Sequence, residues 1–157
     1  MVFVPKMEQV TIYTDGSASN IVPLPDRVGG YASVILLGDI EKIISGSDKP
    51  LTSQQAELMA VISALYIVYS EELAKDKDVV VISDSAYIVN CFLDKWWEMW
   101  KINGFTTVKN REYWEVLLEL VFDRGMNVRF KKVKGHSGDN YNEMADKAAK
   151  EARLNHA

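Results

Sequence analysis

The chain has 157 residues, 48% hydrophobic and 25% charged, which is the balance of a folded soluble domain with one core and excludes disorder and fibrous repeats. Its 18 Lys/Arg against 22 Asp/Glu leave a net charge of −4, which in bulk argues against a phosphate-rich partner. A lone cysteine, Cys91, excludes an intramolecular disulfide framework, and no apolar run approaches the ~20 residues of a membrane span.

The start, Met1-Val2-Phe3-Val4-Pro5-Lys6, is too short for a signal peptide. The expectation is a single cytoplasmic domain over 1–157, with its core within about 8–152 and no membrane association. Glu8 to Thr14 alternates and is rich in β-branched and aromatic residues, so it predicts a strand, ending at the turn dipeptide Asp15-Gly16. Tyr31 to Leu37 predicts a second strand, and Gly38-Asp39 a hairpin turn into a third over Ile40 to Ser47. Thr52 and Gln55 have capping-box spacing, and behind them Leu58, Val61, Ile62, Leu65 and Val68 recur at helical period.

Val79 to Ile82 is continuously apolar and β-branched, as in a strand buried on both faces. Ser83-Asp84-Ser85 closes it and can open a helix through Tyr87, Ile88 and Val89. Further helices are predicted over Trp96 to Lys101 and Glu112 to Phe122, the latter stopping before Gly125 as a C′ glycine. Met126 to Val133 alternates as a last strand, and Asn140 with Glu143 repeats the capping-box spacing ahead of a helix through Ala152. The order β-β-β-α-β-α-α-α-β-α implies an α/β fold, a mixed sheet with helices packed on it.

Four acids occupy strand and helix ends. Singly, each has an ordinary reading: Asp15 makes a turn, Asp84 caps a helix, Glu57 complements a helix N-terminus, and Asp146 is a solvated helix residue. If the first and fourth strands are neighbours, however, their ends bring carboxylates together, and the two helices can add two more. Such a group repels itself unless cations intervene, and oxygen-only ligands favour Mg²⁺ or Mn²⁺ over zinc. His136, in the glycine-flanked segment Lys134-Gly135-His136-Ser137-Gly138, suits a proton carrier beside such a site.

Five segments then resemble type 1 ribonuclease H, in that family's order. They are Tyr13-Thr14-Asp15-Gly16-Ser17, Ala56 to Ala60, Ser83 to Val89, Val133 to Gly138 and Asn142 to Ala148. The likeness implies a ribonuclease H-like fold, a five-stranded mixed sheet in the order 3-2-1-4-5 with helices on both faces. It implies an endonuclease that hydrolyses the RNA strand of RNA–DNA hybrids, using two Mg²⁺ ions (Mn²⁺ as substitute) and leaving 5′-phosphate and 3′-hydroxyl ends. Asp15, Glu57, Asp84 and Asp146 would be the metal ligands and His136 the accessory histidine. Thr52 matches a position that binds a DNA-strand phosphate, and Asn110 and Trp114 resemble DNA-channel residues. Trp96 and Lys101 fall in a handle segment, with one or more of the neighbouring tryptophans expected to serve only packing. Gly16, Ser17, Ser53 and Gln54 occupy the surface that would meet RNA 2′-hydroxyls, and Ser85, beside Asp84, joins the substrate contacts.

Departures from the family touch substrate grip. The loop between Ser17 and Gly29 is longer and poorer in glycine, Ser53 and Gln54 replace two asparagines, and Ala86 replaces a glutamine. The alternatives are a nuclease of the same fold acting on DNA and a non-catalytic hybrid-binding module; retention of all four acids argues against the second. No separate hybrid-binding domain is expected, and a monomer is. The charge also looks different by region. Lys95 to Lys134 holds nine Lys/Arg and five Asp/Glu, a local +4, against −8 for the rest. That distribution predicts modest, salt-sensitive binding of a polyanion.

Overall fold

The computed structural model describes residues 9–19, 21–134 and 140–156. In chain order the elements are β1 (Gln9–Ala18), β2 (Gly29–Leu37), β3 (Ile40–Asp48), α1 (Ser53–Ser70), β4 (Asp78–Ser83), α2 (Ala86–Leu93), α3 (Trp96–Ile102), α4 (Arg111–Phe122), β5 (Asn127–Lys132) and α5 (Asn140–Leu154). This is the expected succession. The strands form one sheet in the order β3-β2-β1-β4-β5. β1 pairs antiparallel with β2 and β2 with β3, the latter pair through a tight turn, whereas β4 pairs parallel with both β1 and β5.

Local chemistry explains most boundaries. Gly38 takes φ 57° at the first central position of the β2–β3 turn, where a side chain would be strained. Thr52 caps α1 with both halves of the capping box formed: its Oγ1 accepts from Gln55 N at 3.1 Å, and Gln55 Oε1 accepts from Thr52 N at 3.0 Å. Ser85, not Asp84, caps α2 through an Oγ that accepts from Ile88 N at 3.3 Å. Gly125 lies two residues past the Asp123 C-cap of α4, one beyond the expected C′ position, at φ 75°. α5 begins at Asn140 itself, so the residue before it, where a cap would sit, lies outside the described residues.

One expectation is overturned. Asp15-Gly16 does not end β1 in a turn; the strand runs on to Ala18, with Asp15 opposite Ala32 and Gly16 opposite Tyr31 of β2. The dipeptide has turn chemistry, but its glycine answers a distant neighbour. A Cβ on Gly16 would stand 2.5 Å from Glu57 N and 2.6 Å from Ala56 C, so α1 lies against the strand backbone there.

The sheet separates two layers. Val10 and Ile12 of β1, Ile35 of β2, and Val79 and Val81 of β4 pack in one core with Leu58, Val61 and Leu65 of α1, Ile88 of α2, and Trp114 and Leu117 of α4. The odd-numbered residues of β1 turn the other way, toward α5, where the Tyr13 and Tyr141 rings lie 5.5 Å apart. α5 crosses β1, β2 and β3 on that face. Among the described residues no helix is long and apolar enough to cross a membrane.

Candidate active site

The parallel pairing of β1 with β4, in register from Gln9↔Asp78 to Tyr13↔Ile82, points both strands toward the same end of the sheet. Asp15 and Asp84 follow the paired residues. Close packing at Gly16 brings the first turns of α1 to the same edge, and with them Glu57. Carboxylate oxygens of Asp15, Glu57 and Asp84 lie within 4.8 Å of one another. Asp146 of α5 falls outside that mutual cluster, but its side chain shares a hydrogen bond with Asp15 and pairs with Lys150 Nζ at 3.1 Å. The four sequence-predicted acids are thus brought to one edge by four different elements.

A single backbone N–H holds two of them: Gly16 N donates to Asp15 Oδ1 at 2.9 Å and to Glu57 Oε1 at 3.1 Å. Asp15 is 6% exposed, so the charge has little water to stabilise it. Burial, the hydrogen bond to Asp146 and the charge of Asp84 together push its carboxyl up to about 7, while its hydrogen bond with Glu57 opposes them. Burial, then the charges of Asp15 and Asp84, drive the Glu57 carboxyl well above the usual range. The remaining oxygen, Glu57 Oε2, is buried with no hydrogen-bond partner. An orphaned buried acceptor within a group of like charges is the signature of a cation site. All donors are oxygens, so the residues present fit a hard divalent cation.

A polar chain leads away from this edge. Gln55 Nε2 donates to Asn110 Oδ1 at 3.2 Å, Asn110 Nδ2 donates to Tyr87 Oη at 3.3 Å, and Trp114 Nε1 donates to the same oxygen at 2.8 Å. Thr52, expected at a phosphate position, and Asn110, expected in the DNA channel, are therefore bridged by Gln55. Gln55 and Tyr87 were invisible as site residues in the sequence: Gln55 reads as a cap, and its second bond spans 55 positions. Trp114 corrects an expectation. It is fully buried, with its ring edge-on to Tyr87 at 5.4 Å, and cannot touch a substrate. Its helical face turns it into the core, where its indole N–H fixes Tyr87.

The remaining expected contacts scatter around the edge. Gly16, Ser17, Ser53, Gln54 and Ser85 are half-buried, and Ser17 Oγ accepts from Arg153 Nε at 3.0 Å. In the handle, Trp97 and Trp100 pack against the core while Trp96 is 37% exposed. Lys101 stacks its ammonium over Trp97 and Phe122, 5.2 and 5.6 Å from the ring centres. His136 lies outside the described residues.

Against known proteins, a sequence profile described as RNase H matches residues 7–153. The chain belongs to the RNase H family. A ribonuclease H of Acetivibrio thermocellus is 41% identical over 151 residues, covering 91% of this chain and 93% of that one. Among solved structures, LC9-RNase H1, a type 1 RNase H with the type 2 active-site motif, superposes with a TM-score of 0.82. The match covers 98% of this chain and 75% of that one at 22% identity. LC11-RNase H1 in complex with an RNA/DNA hybrid gives 0.65 over 91% of this chain and 98% of that one, also at 22% identity. The RNase H assignment makes this an endoribonuclease, and the shared fold accounts for the sheet order.

Proposed function

We propose that the protein hydrolyses the RNA strand of RNA–DNA hybrids, with Asp15, Glu57, Asp84 and Asp146 holding two Mg²⁺ ions, or Mn²⁺ in their place. The observation that carries this reading is the convergence of three carboxylates within 4.8 Å of one another, one of Glu57's oxygens being buried and unpartnered, in a chain of the RNase H family. The hybrid seen with LC11-RNase H1 supports the substrate class. When bound, two divalent ions would supply an activated water and a stabilised 3′ leaving oxygen for in-line displacement, giving 5′-phosphate and 3′-hydroxyl ends.

The chain's own groups do the rest. The carboxylates of Asp15 and Glu57, held by the same N–H of Gly16, are fixed relative to each other before any ligand arrives. Thr52 Oγ1 already accepts a bond and keeps its proton for a donor role, and Asn110 keeps one Nδ2 hydrogen beyond that given to Tyr87. Donors with occupied acceptors suit a DNA-strand phosphate. Gly16, Ser17, Ser53, Gln54 and Ser85 would face the RNA strand, Trp96 and Lys101 the DNA strand, and His136 would move a proton or speed product release.

The test is a substrate panel in Mg²⁺: labelled hybrid, duplex DNA and duplex RNA. Hybrid cleavage alone is expected, and cleavage of duplex DNA instead would favour a DNA nuclease of the same fold. Asp15→Asn should lower the rate by on the order of a thousandfold with the fold intact, since it removes a ligand without emptying the core. Full activity in that variant would refute the site.

A further inference from the structure

Three side chains on one face of β1 meet α5 in succession. Tyr13 meets Tyr141, Asp15 meets Asp146, and Ser17 meets Arg153. The first contact is packing and the second belongs to the carboxylate edge. The third has a specific structural provision. Ser17 lies opposite Gly30 of β2. A Cβ on Gly30 would stand 2.2 Å from Ala149 O and 2.5 Å from Arg153 N, so only a glycine lets the last turn of α5 come down beside Ser17. Arg153 is seated there by the backbone of the helix.

Its guanidinium has donors to spare. Of five N–H groups, the one on Nε goes to Ser17, and no described ion pair engages it. Lys150, the cation one turn earlier, is already paired with Asp146. Ser17 is two residues beyond Asp15 on the same strand face, about 7 Å along the strand. Having accepted from Arg153, its hydroxyl is left with its proton to donate.

We propose that Arg153 is a substrate-contacting residue that binds an RNA-strand phosphate beside the carboxylate edge and holds the Ser17 hydroxyl as a donor to the neighbouring ribose. The inference rests on the hybrid-cleavage reading above. A planar guanidinium can offer paired N–H groups to a phosphate, which an ammonium cannot. The basic excess of Lys95 to Lys134 lies in the handle and β5, so Arg153 places a cation on the opposite, α5 side of the substrate path.

Steady-state cleavage of a labelled hybrid over a series of salt concentrations separates this role from a merely structural tie. Arg153→Ala and Arg153→Gln should raise KM about tenfold with kcat within about twofold, and lessen the salt slope of log kcat/KM by about one. Arg153→Lys should keep the slope, because it keeps the charge. Melting temperatures for all three should stay near that of the parent, and a destabilised Ala variant leaves the Gln and Lys pair to decide. Wild-type KM and slope in Arg153→Gln would overturn the proposal, since Gln can still donate to Ser17 without charge. A parent protein that cleaves no hybrid would instead overturn the functional reading, and this inference with it.

Discussion

The carboxylate edge and the handle are built by opposite means. At the edge, β1 and α1 approach more closely than a methyl group would allow, one N–H holds two carboxylates, and α5 covers the opposite face of the sheet. The handle rests on α3, seven residues of which none is buried, entered through a left-handed Lys95 with no side-chain cap. Ring contacts tie it down, Trp100 on Trp114 at 5.1 Å and Trp97 against Phe122 at 4.5 Å. Chemistry is thus over-determined by the fold, and grip is hung on its surface. Crowding the close packing of the first should lower activity and stability together, whereas removing an exposed side chain from the second should change affinity alone.

Gly16→Ala attacks the over-determined region directly. The new methyl meets α1 backbone, which cannot swing away as a side chain can, so Glu57 must move from Asp15. Cleavage should fall by about a hundredfold or more, since an ångström of misplacement costs that much, and overpacking should cost about 1–3 kcal/mol in denaturant titrations. A fully stable and active variant would show that the edge is looser than its contacts imply.

The same edge should carry a measurable electrostatic strain. Asp15 is held up at about 7, against 3.8 for an ordinary aspartate. The folded state therefore keeps a proton that the unfolded state gives up between those values. Without metal, this group's contribution to stability is fully favourable below about pH 4 and is lost as pH rises to 7. Asp15→Asn removes the penalty, so its melting temperature in EDTA should match the parent's near pH 4 and exceed it by several degrees above pH 7. Mg²⁺ should erase that difference by stabilising the parent. A difference independent of pH would contradict the assignment.

How much of this was legible follows from the range of each interaction. The Thr52–Gln55 cap and the β2–β3 turn are local, so four-residue spacing and one glycine predict them. Val79 to Ile82 reads as a central strand from its continuous apolar run, although Val79 and Val81 are buried and Val80 and Ile82 only half-buried. The convergence of the acids needed five motifs in order, because periodicity alone does not say that β4 lies beside β1. Misreadings came where a local signal served a distant partner. Asp15-Gly16 has the chemistry of a turn but provides clearance for α1, and Trp114 lies in a binding-like motif but faces the core. Nothing in the sequence near Tyr87 announces that one hydroxyl would gather Asn110 and Trp114.

Trp96 offers the sharpest test of the surface-hung half. Its neighbours Trp97 and Trp100 belong to the packing, so replacing either would confound grip with stability. Trp96 is itself more than a third exposed at the start of α3. Trp96→Ala therefore removes a stacking face for the sugar–base surface of the DNA strand while leaving the ring contacts that fasten α3. Loss of one such face should cost about 1–2 kcal/mol of binding, a rise in KM of roughly fivefold to thirtyfold. kcat should hold within about twofold, because the carboxylates take none of their position from α3. Equal losses in kcat and melting temperature would mean that the handle helps to place the catalytic edge, and the division between the two regions would fail.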